Sequence, residues 1–386
     1  MRKPLLAALA LALVVLAAGP PAWGAGQDFG TYLREALAAT GLPGMSAVVT
    51  RGDRIVHATG LGHESTGRAV TADTPMRVAS LSKSVTAATV MTLVDEGRVV
   101  LDQPVVSYLP EFRLADQRAA TVTVRHLLNQ TSGLSDRTLD IRATQRAADL
   151  TGYVAALRDG GLAAEPGTHW EYCNVNFDVA ARLVEVVDGR PFADAVRERI
   201  FEPLGMTASS VGARPADGYN SIYGAWVSRG ELPGFRDGGG GGVVTTAADM
   251  GRWLISQTGQ GPRILTPESL ATLHRPWPGG DYAMGWGVQE VDGRELLMHS
   301  GNLFTYTAVQ AFDPASGSGF AVLLNSASLY EDNYDIMRGL AAIADGRQPE
   351  TPGGGRQLTE LALGLRKSPR RSPRICCAGR RSPRGR

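Results

Sequence analysis

Ser80 and Lys83 are the residues whose types and spacing best suit catalysis in this chain. They stand three positions apart in the segment RVASLSK (residues 77–83), where an apolar run predicts a helix over 80–96. Side chains at this spacing share one helix face, and the unpaired N–H groups at a helix N-terminus favour negative charge developing near Ser80. A serine hydroxyl becomes a good nucleophile when a base takes its proton, and an uncharged lysine amine can be that base. The pattern predicts that Ser80 is a nucleophile and Lys83 its base.

Lysine usage supports this assignment. Of the 39 basic residues, two lie in residues 1–24 and nine in residues 366–386, and Lys83 is the only lysine among the rest. Arginine keeps its proton, so a single lysine in a chain that otherwise uses arginine indicates a site that needs a titratable amine. The alternative is an ordinary lysine on a helix surface, which an S-x-x-K pattern by itself does not exclude.

Two further segments could complete a site with Ser80. The segment YCN at 172–174 precedes a helical pattern, where the tyrosine could relay protons and the asparagine could hold a substrate carbonyl. The segment HSGN at 299–302 ends a predicted strand, and its glycine would let a substrate backbone lie along that edge. Each segment is weakly specific alone, but their order along the chain makes the set specific. A catalytic Cys173–His299 pair is the less favoured alternative, because Ser80 already has a base beside it.

The charge distribution argues against a nucleic-acid partner. The net charge is +1, but basic termini conceal an acidic body, since residues 25–365 carry 28 basic and 38 acidic side chains. A phosphate backbone would repel such a body. The segment after residue 346 is rich in Pro and Gly and then in Arg, which predicts a disordered basic tail over 347–386.

No sequence pattern indicates a cofactor or a metal ion. The five glycines at 238–242 lack the following Lys-Ser/Thr of a phosphate loop and indicate a flexible loop beside the cleft. Most histidines are scattered without the spacing of metal ligands, namely His57, His63, His126, His169 and His274.

The first 24 residues have the pattern of an export signal. Arg2 and Lys3 precede the apolar run Leu5–Ala18, and Ala22 and Gly24 are small residues of the kind expected before a cleavage point. A spanning helix needs about 20 residues, so a retained membrane anchor is the less favoured alternative. We expect a secreted protein, or one on the cell-wall or periplasmic side of the membrane, with no stable membrane span after cleavage. No pattern predicts the oligomeric state.

Strand patterns occur towards both ends of the chain, with helical patterns between them. The expected fold class is α+β, an antiparallel sheet flanked by N- and C-terminal helices plus a mostly helical lobe. We expect one domain over 25–346, with a sheet lobe from about 25–97 and 285–346, a helical lobe at about 98–284, and a cleft between the two. Residues 98–250 are predicted to be helical or loop-like. The predicted strands are 45–51, 54–61, 287–291, 294–299, 305–312 and 319–325, and the predicted terminal helices are 27–40 and 334–344.

Together these segments resemble the serine β-lactamase and penicillin-binding superfamily, especially its branch of class C β-lactamases, D-alanyl-D-alanine carboxypeptidases and related esterases. The resemblance covers roughly residues 28 to 345. Besides RVASLSK and HSGN it includes HLLNQTSGL at 126–134, WEYCNVNF at 170–177, IFEPLGM at 200–206 and GGVVTTAADMGRW at 241–253. The resemblance implies a β-lactamase/transpeptidase-like fold, acylation of Ser80, and proton abstraction by Lys83.

The same resemblance implies roles for the other two motifs. Tyr172 would shuttle a proton toward the leaving group, and Asn174 would contact the substrate amide. His299 and Gly301 would line the sheet edge. The backbone N–H groups of Ser80 and Asn302 would form the oxyanion hole, whose donors stabilise charge that develops in the transition state.

One departure from the family pattern bears on the substrate. Class C β-lactamases usually carry Lys-Thr-Gly as the third motif, whereas this motif begins with His299. In this respect the chain resembles the carboxypeptidases, D-amino peptidases and esterases. We expect a small peptide, ester or β-lactam substrate, with a D-alanyl-D-alanine carboxypeptidase as the first hypothesis. The alternatives are an esterase, a weak β-lactamase, or a penicillin-binding or wall-fragment sensor without turnover.

Overall fold

A computed structural model describes residues 28–235, 237–328, 330 and 332–353. The predicted export signal (1–24) and most of the predicted tail (347–386) lie outside the described residues. Within them, no helix combines the length and the apolar character needed to cross a membrane.

The strands are β1 (Gly44–Arg51), β2 (Arg54–Gly62), β3 (Met76–Arg77), β4 (Ser210–Val211), β5 (Gly218–Ile222), β6 (Ala225–Arg229), β7 (Val243–Thr245), β8 (Gly287–Val291), β9 (Arg294–Asn302), β10 (Thr307–Asp313), β11 (Ser318–Leu324) and β12 (Ser326–Ala327). The helices are α1 (Phe29–Thr40), α2 (Ser82–Asp95), α3 (Val124–Leu128), α4 (Ile141–Gln145), α5 (Leu150–Ala155), α6 (Val175–Asp188), α7 (Phe192–Val196), α8 (Ala247–Gln257), α9 (Pro267–Leu273) and α10 (Asp332–Ala344).

Six antiparallel strands form the main sheet, in the order β2-β1-β11-β10-β9-β8. Strand β1 pairs with β11, with Val48 opposite Ala321, so strands from both ends of the chain meet at the centre. Asp292 and Gly293 join β8 to β9 with φ of 52° and 80°, the left-handed conformation that a type I′ turn requires. The predicted α+β class, with an antiparallel sheet built from both ends of the chain, is confirmed.

The two faces of this sheet belong to different hydrophobic cores. In β1, Ala47 and Val49 face the core formed with α1 and α10, whereas Val48 faces the core that contains α2 and α8. Successive side chains of a strand point to opposite faces, so one strand serves both cores. Because helices cover both faces, β10 and β11 are buried along their whole length.

Helix α2 runs through the interior and carries Lys83 on its first turn. Twelve of its fourteen residues are buried, and it contacts both α6 and α9. A short 3₁₀ turn over 79–81 precedes it, so the predicted helix 80–96 begins as a tighter turn and becomes α-helical at Ser82. A helix enclosed on nearly all sides has little freedom to move, which fixes the position of the residues on its first turn.

The prediction that residues 98–250 are helical or loop-like is wrong at β4–β7. Strands β5 and β6 form a hairpin whose turn uses Tyr223 and Gly224, with φ of 52° and 82°. Tyrosine is uncommon in this turn, and β5 is too polar to show an apolar alternation, so the usual hairpin signals are missing. Strand β7 has only three residues and pairs with β3 and β4, which lie far from it in sequence.

Candidate active site

The hydroxyl of Ser80 lies where the side chains of two other predicted site residues meet. Lys83 Nζ donates a hydrogen bond to Ser80 Oγ at 2.9 Å, and the Tyr172 hydroxyl donates one at 2.7 Å. Two donors hold Oγ in a single position. The hydroxyl proton of Ser80 therefore has two neighbouring atoms that could receive it, the lysine nitrogen and the tyrosine oxygen.

The amine of Lys83 is fully buried and surrounded by hydrogen-bond acceptors. Besides Ser80 Oγ, it donates to Asn174 Oδ1 at 2.8 Å and to the Gly240 carbonyl oxygen at 2.7 Å. These three acceptors match the three N–H groups of an ammonium. Loss of one proton would leave a lone pair that can point at Ser80, while the other two bonds keep the nitrogen in place.

The glycine segment 238–242 packs against the amine of Lys83. Gly240 donates its N–H to Asp178 at 3.0 Å, and the carbonyl of Gly239 accepts from Thr86 Oγ1 at 2.8 Å. A Cβ on Gly239 would lie 2.4 Å from the carbonyl oxygen of Phe177, so the segment needs glycine to fit between α2 and α6. The segment lies beside the cleft as predicted, since Gly240 and Gly241 line the same cavity as Ser80, but the predicted flexibility is wrong, because this backbone is packed and hydrogen-bonded.

Strand β9 runs directly alongside the backbone of the nucleophile turn. A Cβ on Gly301 would lie 3.0 Å from the Ser80 nitrogen and 2.3 Å from the Val78 carbonyl oxygen. Ala79 has a φ of 49°, a left-handed conformation that costs a residue other than glycine about 1 kcal/mol or more. Asn302 follows Gly301 at the end of β9 and lines the same cavity as Ser80.

His299 is a neutral, nearly buried residue with both ring nitrogens engaged. Its Nδ1 lies 2.7 Å from the Ser300 carbonyl oxygen and its Nε2 lies 3.1 Å from the Tyr282 hydroxyl. A carbonyl can only accept, so Nδ1 carries the proton and Nε2 accepts from Tyr282. Burial, reinforced by the charge of Lys83, lowers the pKa of His299 to about 3. Its ring centroid is 6.2 Å from that of Tyr172, so His299 supports the site from the β9 side.

Cys173 is buried and turned toward Asp136. Its Sγ donates to Asp136 Oδ1 at 3.4 Å, and its backbone N–H donates to Gln130 Oε1 at 3.1 Å. Burial, together with the nearby charge of Asp136, raises the pKa of the thiol far above its ordinary range. A protonated thiol is a poor nucleophile, which argues against a catalytic pair with His299.

Ser80 opens onto a cavity of about 360 Å³. Two residues of the cavity wall that the sequence did not indicate are Asp178 and Tyr153. The spacing of four between Asn174 and Asp178 places both on one face of α6, and this signal could have identified the acid. Among the described residues, no group of three His, Cys, Asp or Glu side chains could hold a metal ion.

Comparison with known proteins identifies the family. The family model described as beta-lactamase matches residues 29–343. The chain belongs to the beta-lactamase family. Penicillin-binding protein 4 of Amycolatopsis lactamdurans is 34% identical to it over 340 residues, which cover 80% of this chain and 88% of that protein. Esterase EstB of Burkholderia gladioli is 36% identical over 188 residues, covering 45% of this chain and 48% of the esterase.

Solved structures of other proteins share the fold of this chain. The D-amino acid amidase from Ochrobactrum anthropi SV3, in complex with D-phenylalanine, has a TM-score of 0.68 and 25% identity, covering 83% of this chain and 100% of the amidase. The octameric penicillin-binding protein homologue from Pyrococcus abyssi has a TM-score of 0.73 and 24% identity, covering 83% and 78% of the two chains. These findings make this chain a serine hydrolase of the beta-lactamase family.

Gly301→Ala is expected to lower kcat by about 10²-fold, the effect of disturbing one oxyanion donor. The added methyl group would force β9 or the nucleophile turn to shift, because it would lie too close to the Val78 carbonyl oxygen and the Ser80 nitrogen. The rate is measured with an activated ester. Gly287→Ala in β8 is the matched control, since its methyl group would meet only the Met298 carbonyl oxygen, at 3.5 Å. A Gly301→Ala variant with the parent's kcat would contradict the close packing of β9 against Ser80.

Proposed function

We propose that this chain hydrolyses D-amino-acid peptides, as a D-alanyl-D-alanine carboxypeptidase or a related hydrolase, through an acyl-enzyme on Ser80. The observation that carries the proposal is the pair of hydrogen bonds that Ser80 Oγ accepts from Lys83 and Tyr172. The Ser80 hydroxyl lies at the wall of a cavity, between the amine of Lys83 and the phenol of Tyr172. It therefore has a base and a proton relay within hydrogen-bond distance.

The proposed reaction has two halves. In the first, Lys83 takes the Ser80 proton and Oγ attacks the substrate carbonyl carbon; the bond to the leaving amine then breaks as Tyr172 gives its proton to that nitrogen and recovers the proton that Lys83 took. In the second, a water molecule gives a proton to Lys83 and attacks the acyl carbon, and Ser80 Oγ leaves with that proton, which releases the free acid and restores the starting state. Each half passes through a tetrahedral intermediate with a negative oxygen. We assign the N–H groups of Ser80 and Asn302 to that oxygen, and the amide of Asn174 to the substrate.

Two observations support a D-amino-acid substrate. The third motif lacks the lysine of class C β-lactamases and instead carries His299, whose pKa of about 3 keeps it neutral. The similar proteins include a penicillin-binding protein and the D-amino acid amidase from Ochrobactrum anthropi SV3. We also propose that the protein is exported, on the basis of the apolar pattern in residues 1–24.

The test is the intact mass of the protein after incubation with a fluorophosphonate and, separately, with penicillin, followed by peptide mapping. We expect one adduct per chain, located on the peptide that contains Ser80. Release of D-alanine from a peptidoglycan stem peptide is then compared with hydrolysis of a chromogenic ester and a cephalosporin. An adduct on another residue, or stoichiometric penicillin labelling with no turnover of any substrate, would contradict the proposal. Ester or cephalosporin hydrolysis without D-alanine release would favour the esterase or β-lactamase alternative.

A further inference from the structure

The cavity beside Ser80 has a buried carboxylate that the proposed reaction does not use. Asp178 lies on the first turn of α6, is 8% exposed, and lines the same cavity as Ser80. Its Oδ1 accepts a hydrogen bond from the Gly240 N–H at 3.0 Å. This bond orients the carboxylate within the cavity wall.

The carboxylate of Asp178 has no cationic partner among the residues that the structure describes. No Lys, Arg or His side chain in that part of the chain forms an ion pair with Asp178, and Lys83 acts on it only as a more distant charge. Burial raises the pKa of Asp178, because removal from water disfavours the charged form of a carboxyl group. Buried charges in proteins are ordinarily paired, so a cation entering the cavity would supply the missing partner.

The basic side chains of the cavity wall offer an anion a poorer site than Asp178 offers a cation. The guanidinium of Arg77 is buried and ion-paired with Glu231, although one of its nitrogens, Nη1, has no hydrogen-bond partner. Asp136 adds a second acidic side chain to the cavity. Lys83 already donates to three acceptors. Among the wall residues that the structure describes, the uncompensated charge that a ligand would meet is therefore negative.

The surroundings of Asp178 also suit an organic cation. The rings of Tyr153 and Phe235 lie with their centroids 5.2 Å apart, and both line the cavity together with Ile141. Aromatic faces attract ammonium groups, and this attraction is strongest where water is excluded. The cavity that contains Ser80 thus has a carboxylate as well as apolar and aromatic side chains in its wall.

We propose that Asp178 binds a protonated amine on the acyl portion of the substrate, so that the enzyme prefers D-amino acid amides, esters or peptides whose acyl residue has a free amino group. This inference rests on the proposed acyl transfer at Ser80 and narrows the proposed function to the hydrolases related to the carboxypeptidases, because the acyl D-alanine of a stem peptide has its nitrogen in an amide bond. Asp178 is a specificity-determining residue in this view. The competing explanation is that its carboxylate serves only to hold Gly240, and through Gly240 the amine of Lys83.

The test compares two substrates of nearly equal size in the parent and in Asp178→Asn. D-alanine p-nitroanilide carries an ammonium where D-lactic acid p-nitroanilide carries a neutral hydroxyl, and each kcat/KM is divided by the rate of hydroxide-catalysed hydrolysis. We expect the parent to prefer the amine by about tenfold or more, and Asp178→Asn to reduce that preference to about one. The hydroxyl substrate should lose little, because asparagine can still accept from Gly240.

One control variant and the outcomes below decide between the two roles of Asp178. Tyr153→Phe removes a neighbouring hydroxyl but keeps the aromatic ring and the carboxylate of Asp178, so its preference for the amine should persist. An equal loss for both substrates in Asp178→Asn would overturn the inference in favour of the purely positioning role. If the parent enzyme shows no preference between the amine and hydroxyl substrates, or prefers an N-succinylated substrate, the inference is overturned. This outcome needs no variant, so it holds even if Asp178→Asn does not fold. If Ser80 is labelled by a fluorophosphonate and neither anilide is hydrolysed, this inference alone fails, whereas an unlabelled Ser80 would refute the proposed function.

Discussion

Ser80→Ala is expected to lower kcat/KM by about 10⁵-fold or more, as loss of the nucleophile does in other serine hydrolases. No other group in the site could form the acyl-enzyme, because Lys83 and Tyr172 are both directed at Ser80 Oγ. The small residual rate would come from the oxyanion donors and from substrate binding, which do not need the hydroxyl. The measurement is kcat/KM with an activated ester of a D-amino acid, on enzyme whose thermal unfolding midpoint matches the parent's.

The Ser80→Ala variant should still bind substrate, with a Kd close to that of the parent for a non-hydrolysable analogue. Ser228→Ala, an exposed serine on β6, is the matched control and should retain full activity. If Ser80→Ala kept more than about a hundredth of the parent's kcat/KM, attack by Ser80 would not be the main route and another nucleophile would have to be sought.

Lys83→Arg is expected to lower the rate of acylation by about 10⁴-fold, at the upper end of what a general base contributes. Arginine keeps the positive charge and the hydrogen-bond donors but cannot receive the Ser80 proton. The variant therefore separates two roles for Lys83: a base, which arginine cannot replace, and a fixed charge, which it can. The rate is measured in a single turnover with a fluorophosphonate and with an activated ester.

Lys83 is fully buried, so the larger guanidinium could disturb the fold. Lys83→Met has nearly the volume of lysine and no amine, and should show a loss of the same order with less strain. Activity of Lys83→Arg within about tenfold of the parent would reject the base role, provided that Lys83→Met is inactive. Equal and nearly full activity in both variants would point to Tyr172 as the group that takes the proton.

Local patterns were sufficient to predict the main sheet and the position of α2. The β8–β9 hairpin was predicted because Asp292-Gly293 favours one turn type by itself, whatever the rest of the chain does. The β5–β6 hairpin was missed because its turn uses Tyr223 and Gly224, and because β5 is held in part by pairing with β12. Tertiary contacts stabilise that hairpin, and a local pattern does not report them.

The same distinction applies to the candidate site. Ser80 and Lys83 are three residues apart on one helical segment, so their contact follows from local geometry. The contact of Lys83 with Gly240 joins residues that are 157 positions apart, and nothing in a run of five glycines indicates that it packs under a lysine. The buried pairing of Arg77 with Glu231 is equally remote in sequence. Sequence motifs were sufficient to predict the reacting groups, whereas the residues that hold these groups in place could be identified only from the tertiary structure.

The pairing of β1 with β11 has a consequence for how the molecule is made. Val48 and Ala321 are partners across roughly 270 residues of chain, so the centre of the sheet forms only after a very large loop has closed. Distant pairings of this kind slow folding and leave unpaired strand edges exposed in the meantime. A nascent chain that ends before β9 would already possess its nucleophile and its base but not the strand that passes beside them. The nucleophile turn therefore gains the strand that packs against it only when the last third of the chain has been synthesised.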